Sequence, residues 1–150
     1  MESSLENNMQ TFLPYPDFNK CARVLDPSRL GNQFYREGLT LLRGGWPNHP
    51  ASKMWQGYMW WLCEYLLACS NELKRRGRHY PKHDREVLEY HRWLSQIEHP
   101  KPSWLGDNRL HASHRSNLLR KYPEYYGRFG WSEPDDLPYF WPTKENDYVY

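Results

Sequence analysis

Between Pro50 and Arg76 the chain carries Met54, Trp55, Tyr58, Met59, Trp61, Leu62, Tyr65, Leu66, Cys69 and Leu73. On a helix that set covers more than half the circumference, so the segment must be surrounded by the rest of the molecule. Pro50 at its start and Gly77 as its stop frame it as one continuous central helix. Three more helical stretches are available to wrap it. The first is capped by Asp26 or Ser28, has Pro27 in its first turn and ends at Gly44-Gly45. The next runs from Lys82 to Glu98 with Val87, Tyr90, Leu94 and Ile97 inward, and the last runs from Asn108 until Pro123 closes it. Pro14 and Pro16 make QTFLPYPDF an extended arm without helix. Nothing alternates like a strand, so the expected fold is all-α, a compact single-domain bundle of about four helices.

At 150 residues one domain suffices. Eight Trp, twelve Tyr and five Phe are many rings for a chain with mean hydropathy -1.00, and they must pack a small core or stack on something flat. The net charge of +2 is unevenly spread. Residues 9–130 hold 19 Lys and Arg against 11 Asp and Glu, a balance of +8; residues 1–8 hold 0 against 2, and residues 131–150 hold 1 against 5. The expected organisation is a disordered extension over 1–8, a helical domain over 9–130, and an aromatic, acidic tail over 131–150 packed on that domain. A basic body is compatible with a phosphate-backbone partner. Cys21, Cys63 and Cys69 lack metal-type spacing and read as reduced thiols. No signal peptide or membrane span is evident, and the expectation is a soluble, cytoplasmic, monomeric protein.

Candidate chemistry starts in RLGNQFYREGLTLLR, residues 29–43. At 100° per residue, Leu30, Phe34 and Leu41 fall within about 40° of one another as an apolar stripe. Glu37 lies on its edge, beside a polar arc of Arg29, Gln33, Arg36 and Thr40. Burial raises a carboxyl pKa and guanidinium neighbours lower it, so a carboxylate so placed suits chemistry on a polyanion. A plain salt bridge to Arg29 or Arg36 explains the same spacing. The histidine pairs His79/His83 and His111/His114 have no further ligands tied to them, and neither metal nor cofactor is expected. In the last helix Arg109, His111, His114, Arg115, Arg120 and Lys121 mix with Ser113, Ser116 and Asn117, residue types that hold phosphates, although a solvated cationic helix has the same composition. The following YPEYYGRFGW sets Tyr125 and Tyr126 beside it, for base stacking or core packing alike.

In their order and spacing these features resemble the endonuclease V-type pyrimidine-dimer DNA glycosylases of phages and bacteria. The matching pieces are YRE at Tyr35-Arg36-Glu37, HPASKMW from His49, NELKRRG ending at Gly77, and LHASHRSNLLRKYPEYYG ending at Gly127. The resemblance implies a helical domain that kinks double-stranded DNA, extrudes a damaged base and cleaves its N-glycosidic bond. It further implies an α-amine attacking the sugar C1′ to form an imine, with Glu37 supporting the sugar cation and Arg36 binding beside it. An amine there requires a start at Met9, or a folded-back extension; otherwise Glu37 activates water. The family arginine one turn beyond the glutamate is Thr40 here, with Arg43 or Arg29 as substitutes, and Arg115 is matched to a later phosphate-binding arginine. Together with Gln33, His49, Lys53, His111, His114, Ser116, Tyr125 and Tyr126, these arginines make up the expected DNA-facing set. The alternatives are a non-catalytic DNA-binding module of the same fold and a monofunctional glycosylase that uses Glu37-activated water on another modified base.

Overall fold

A computed structural model describes residues 9–142, and among these there are helices and no β-strand, so the chain is all-α. The expected disorder of 1–8 and the end of the tail, 143–150, lie outside the described residues. Helix α1, Phe18–Val24, starts where the Asp17 side chain accepts from the Lys20 amide, and it buries Cys21 and Ala22 against the central helix. Sequence periodicity missed this helix because seven residues are too few to show a stripe. Asp26 caps the next rod by accepting from the Arg29 amide. That rod consists of α2, Pro27–Asn32, a wide π turn, Gln33–Gly38, and α3, Leu39–Leu42.

The central helix is broken once. Helix α4 covers Pro50–Trp55 and α5 covers Met59–Arg75, with Gly57 between them at φ +86. That left-handed residue overrides the continuous apolar pattern from which one helix was expected. Helix α6, Pro81–Leu94, packs along α5 and stops four residues before the expected Glu98. Val87 is fully buried, yet Tyr90 is exposed and Ile97 is 71% exposed beyond the helix end. A helix with one main neighbour buries one narrow seam, and the remainder of its apolar set stays outside. Helix α7, Asn108–Lys121, is capped by Asp107 and followed by α8, Pro123–Tyr126.

The extended arm runs through the middle of this assembly. Met9, Gln10, Thr11, Phe12 and Leu13 are all buried, although the arm has no strand partner. Its backbone groups must therefore bond to side chains. Gln33 Oε1 accepts from the Phe12 amide at 2.7 Å, and Gln33 Nε2 donates to the Gln10 carbonyl at 2.8 Å. His114 Nδ1 accepts from the Leu13 amide at 2.8 Å, while His111 Nδ1 donates to the Leu13 carbonyl at 2.7 Å. Arg115 Nη1 reaches the Pro14 carbonyl at 2.7 Å. Trp55 Nε1 donates to the Thr11 hydroxyl at 3.0 Å.

Residues 131–142 lie over α7 as an irregular strap. Arg115 holds Glu133 through two bonds of 2.9 Å, the Ser113 hydroxyl accepts from the Phe140 amide, and Asn117 donates to the Leu137 carbonyl. Trp131 stacks on the buried Tyr126 ring, with centroids 5.8 Å apart.

Candidate active site

Glu37 sits in the π turn and is 9% exposed. The turn is set by Gly38, where an added Cβ would lie 2.1 Å from Leu66 Cδ2 and 2.4 Å from the Gln33 carbonyl oxygen. The absent side chain lets the rod approach α5 closely enough to draw Gln33 and Glu37 inward. Gln33 Nε2 donates to Glu37 Oε2 at 2.6 Å, and Arg36 stands 3.9 Å from Oε1. Burial is the largest influence on the carboxyl and pushes its pKa up to about 7. Arg36, the Gln33 hydrogen bond, Arg29 and Lys121 all pull the other way. At neutral pH the group is therefore split between acid and base forms, as proton transfer in both directions requires.

The carboxylate opens onto a cleft of about 220 Å³ lined by Phe12, Ser28, Arg29, Asn32 and Lys121. Arg29 also bonds Asp26 at 3.2 Å. Of the residues expected from sequence, Arg29, Arg36 and Glu37 come together here. Gln33 joins them as a fully buried support, not as a DNA-facing group on a polar arc. Phe12, Ser28 and Asn32 were not anticipated, and Lys121 was read only as part of a basic helix. The i, i+4 spacing of Gln33 and Glu37 was the one available signal for the support.

Several other expected DNA contacts are engaged elsewhere. His111 and His114 are buried and hold the arm, and burial drives the His114 pKa down to about 3, so it stays neutral. Arg115 is bound to Glu133, Pro14 and Asn108, and the buried Ser116 bonds Pro134 and Leu137 of the strap. These corrections share a cause: a threaded arm and an irregular strap need side-chain partners, and α7 provides them. Tyr126 is core, donating to Asp26 Oδ1 at 2.5 Å, while Tyr125 lies under Arg128. Arg43 forks onto Glu86 at 2.6 and 2.7 Å, and so is committed to α6. His49 caps α4 by accepting from the Ala51 amide. Lys53 lines a separate cleft of about 780 Å³ with Tyr58 and Trp104, which shares no residue with the Glu37 cleft. Met9 is buried at the head of the arm and is peptide-bonded to Asn8 in this sequence; a chain starting at Met9 would carry its α-amine there.

The model of the pyrimidine dimer DNA glycosylase family matches residues 9–87, just over half the chain. The chain belongs to that family. No curated protein and no solved structure matches it. The pyrimidine dimer DNA glycosylase match runs from the buried arm through the Glu37 turn and the central helix into α6, so it covers the carboxylate and its Gln33 support. Helix α7 and the strap lie outside the matched residues. DNA is thus the substrate class, and glycosylase action in DNA repair the activity class, of this family member.

Proposed function

We propose that this protein excises a damaged base from double-stranded DNA, a pyrimidine dimer being the lesion the family name indicates, and that Glu37 is its catalytic carboxylate. The observation that carries this reading is the buried Glu37 carboxyl, with pKa about 7, at the edge of a cleft walled by Arg29 and Lys121. A departing base leaves positive charge on its sugar, which a fixed carboxylate stabilises. The protonated fraction of Glu37 can in turn donate a proton as the sugar ring opens. Arg29, Arg36 and Lys121 draw phosphates toward the cleft, and extrusion of a base costs least where it is already damaged. Glu37 serves an attacking water or an attacking amine equally well, and an amine adds strand cleavage to base release. The protein acts as a monomer in this reading.

The test is base release from irradiated duplex under single-turnover conditions by wild type and Glu37→Gln. Release that falls at least ~100-fold in the variant, with DNA binding kept, supports the proposal. Salt-sensitive binding with no release by either protein identifies a non-catalytic module instead.

A further inference from the structure

The strap is fastened to α7 on both sides of Tyr139. Ser116 Oγ accepts from the Leu137 amide at 3.0 Å, and Ser113 Oγ accepts from the Phe140 amide at 3.1 Å. The Tyr139 ring meets the buried His114 ring at right angles, with centroids 5.7 Å apart, and Trp141 packs against it at the same distance. His114 in turn meets Phe12, 6.2 Å away, and Phe12 lines the cleft that holds Glu37. A chain of ring contacts thus joins the strap to the cleft wall.

The Tyr139 ring is packed, and its hydroxyl is uncommitted. Among the described residues it makes no hydrogen bond. A tyrosine so enclosed usually finds a partner for its O–H. The charges that reach the phenol are those of the cleft. Burial is the largest influence and pushes its pKa up to about 12, Arg120 and Arg29 pull it down, and the Glu37 carboxylate pushes it further up. At neutral pH the phenol therefore keeps its proton and is a neutral donor near two guanidinium groups. Those groups already have partners: Arg29 bonds Asp26, and Arg120 bonds Asn117 and the Asp135 carbonyl. A phosphate drawn in by their charge and by that of Lys121 meets in Tyr139 a donor with no protein bond to give up.

We propose that Tyr139 is a substrate-contacting residue of this glycosylase: its hydroxyl donates to a phosphate oxygen of the damaged strand beside the extruded nucleotide, which makes the strap a wall of the active site. The inference rests on the glycosylase reading of the Glu37 cleft and extends the site beyond the matched residues 9–87. A phosphate suits this position better than a base edge, because its charge is what Arg29 and Arg120 can answer while the phenol supplies the directed bond. Such a contact fixes the register of the strand and does not depend on which base is extruded.

The experiment compares the full chain with Tyr139→Phe, which keeps the ring and removes only the hydroxyl. Binding is measured by fluorescence anisotropy on a duplex with a tetrahydrofuran abasic analogue and on the same duplex with a thymine dimer, the latter in a Glu37→Gln background so that no base is released. The expected result is a Kd higher by about 10-fold or more on both duplexes. The slope of log K against log salt should not change, since a phenol displaces no counterion. The melting temperature should not change either, since the hydroxyl has no protein partner to lose. An unchanged Kd overturns the assignment, and a loss confined to the dimer duplex overturns it in favour of a contact to the base. A slope shallower by about 0.9 traces the loss to a displaced cation, and a lowered melting temperature makes the hydroxyl structural; both also overturn it. Base release from irradiated duplex by the unaltered chain separates the two readings. Release with unchanged Tyr139→Phe binding removes Tyr139 and leaves the glycosylase; absence of release removes the glycosylase, while the abasic duplex still decides the phosphate contact.

Discussion

The Gln33 side-chain amide lies 2.6 Å from Glu37 Oε2 and, through the same nitrogen, 2.8 Å from the carbonyl of Gln10. Its oxygen accepts from the Phe12 amide, and the Tyr65 hydroxyl, 2.7 Å away, divides one proton between that oxygen and the Phe12 carbonyl. Every donor and acceptor of Gln33 is therefore occupied, and the orientation of Glu37 is tied to the buried arm. A carboxylate held this way loses little freedom when a sugar arrives.

The first consequence concerns stability against pH. Glu37 has a folded-state pKa of about 7 against an ordinary 4.5. Between those values the native state keeps a proton that the unfolded chain has lost. Its contribution to stability is thus complete below pH 4.5 and is lost as pH rises through 7, to a limit of about 3 kcal/mol. Glu37→Gln should match wild type near pH 4 and exceed it in thermal stability at pH 8. Melting curves across that range check it, and a constant difference would contradict it.

Removing the support should move the carboxyl itself. In Gln33→Leu, Glu37 loses a hydrogen bond that favours its charged form, so its pKa should climb above about 7. The Phe12 amide loses its acceptor as well, at a cost of about 1–3 kcal/mol. Carbon-detected NMR titration of the Glu37 carboxyl reads the first effect and denaturant unfolding the second. A carboxyl that titrates at or below its wild-type value would show that Gln33 does not favour the ionised form.

Gly38→Ala tests the wide turn. The new Cβ would meet Leu66 Cδ2, which can rotate away, and the Gln33 carbonyl, which cannot move unless the turn opens. The expected loss is about 2–4 kcal/mol, with base release falling alongside it as Glu37 is displaced. Adding Leu66→Ala should leave both losses, since the backbone clash persists. Full recovery in the double variant would locate the strain at Leu66 alone.

Arg115 distinguishes an internal tie from a phosphate ligand. Its guanidinium joins the Pro14 carbonyl of the arm to Glu133 of the strap, so Arg115→Ala should cost about 2–4 kcal/mol in unfolding. The slope of log K against log salt for DNA binding should stay as in wild type. A slope shallower by about 0.9, with stability unchanged, would make Arg115 a phosphate contact after all.

Sequence by itself determined the all-α class, the apolar span of the central helix without its break at Gly57, the start of the rod at Asp26 or Ser28, the extent of α7 and the candidate carboxylate. Each of these depends on periodicity, capping or the charge of near neighbours, which a linear chain displays. It did not disclose the π turn, because the space at Gly38 is bounded by the Gln33 carbonyl of the turn itself and by Leu66, 28 positions away, and both depend on how closely the rod packs on the central helix. Nor did it disclose that Gln33, His111, His114 and Arg115 face inward. Their partners are the backbone groups of the arm, up to 101 residues distant, and a buried strand without a sheet takes its hydrogen bonds from whichever side chains tertiary packing brings to it. The joining of Lys121 to Glu37 in one cleft has the same origin: composition named a basic helix, and only the folded chain decided which of its cations stands beside the acid.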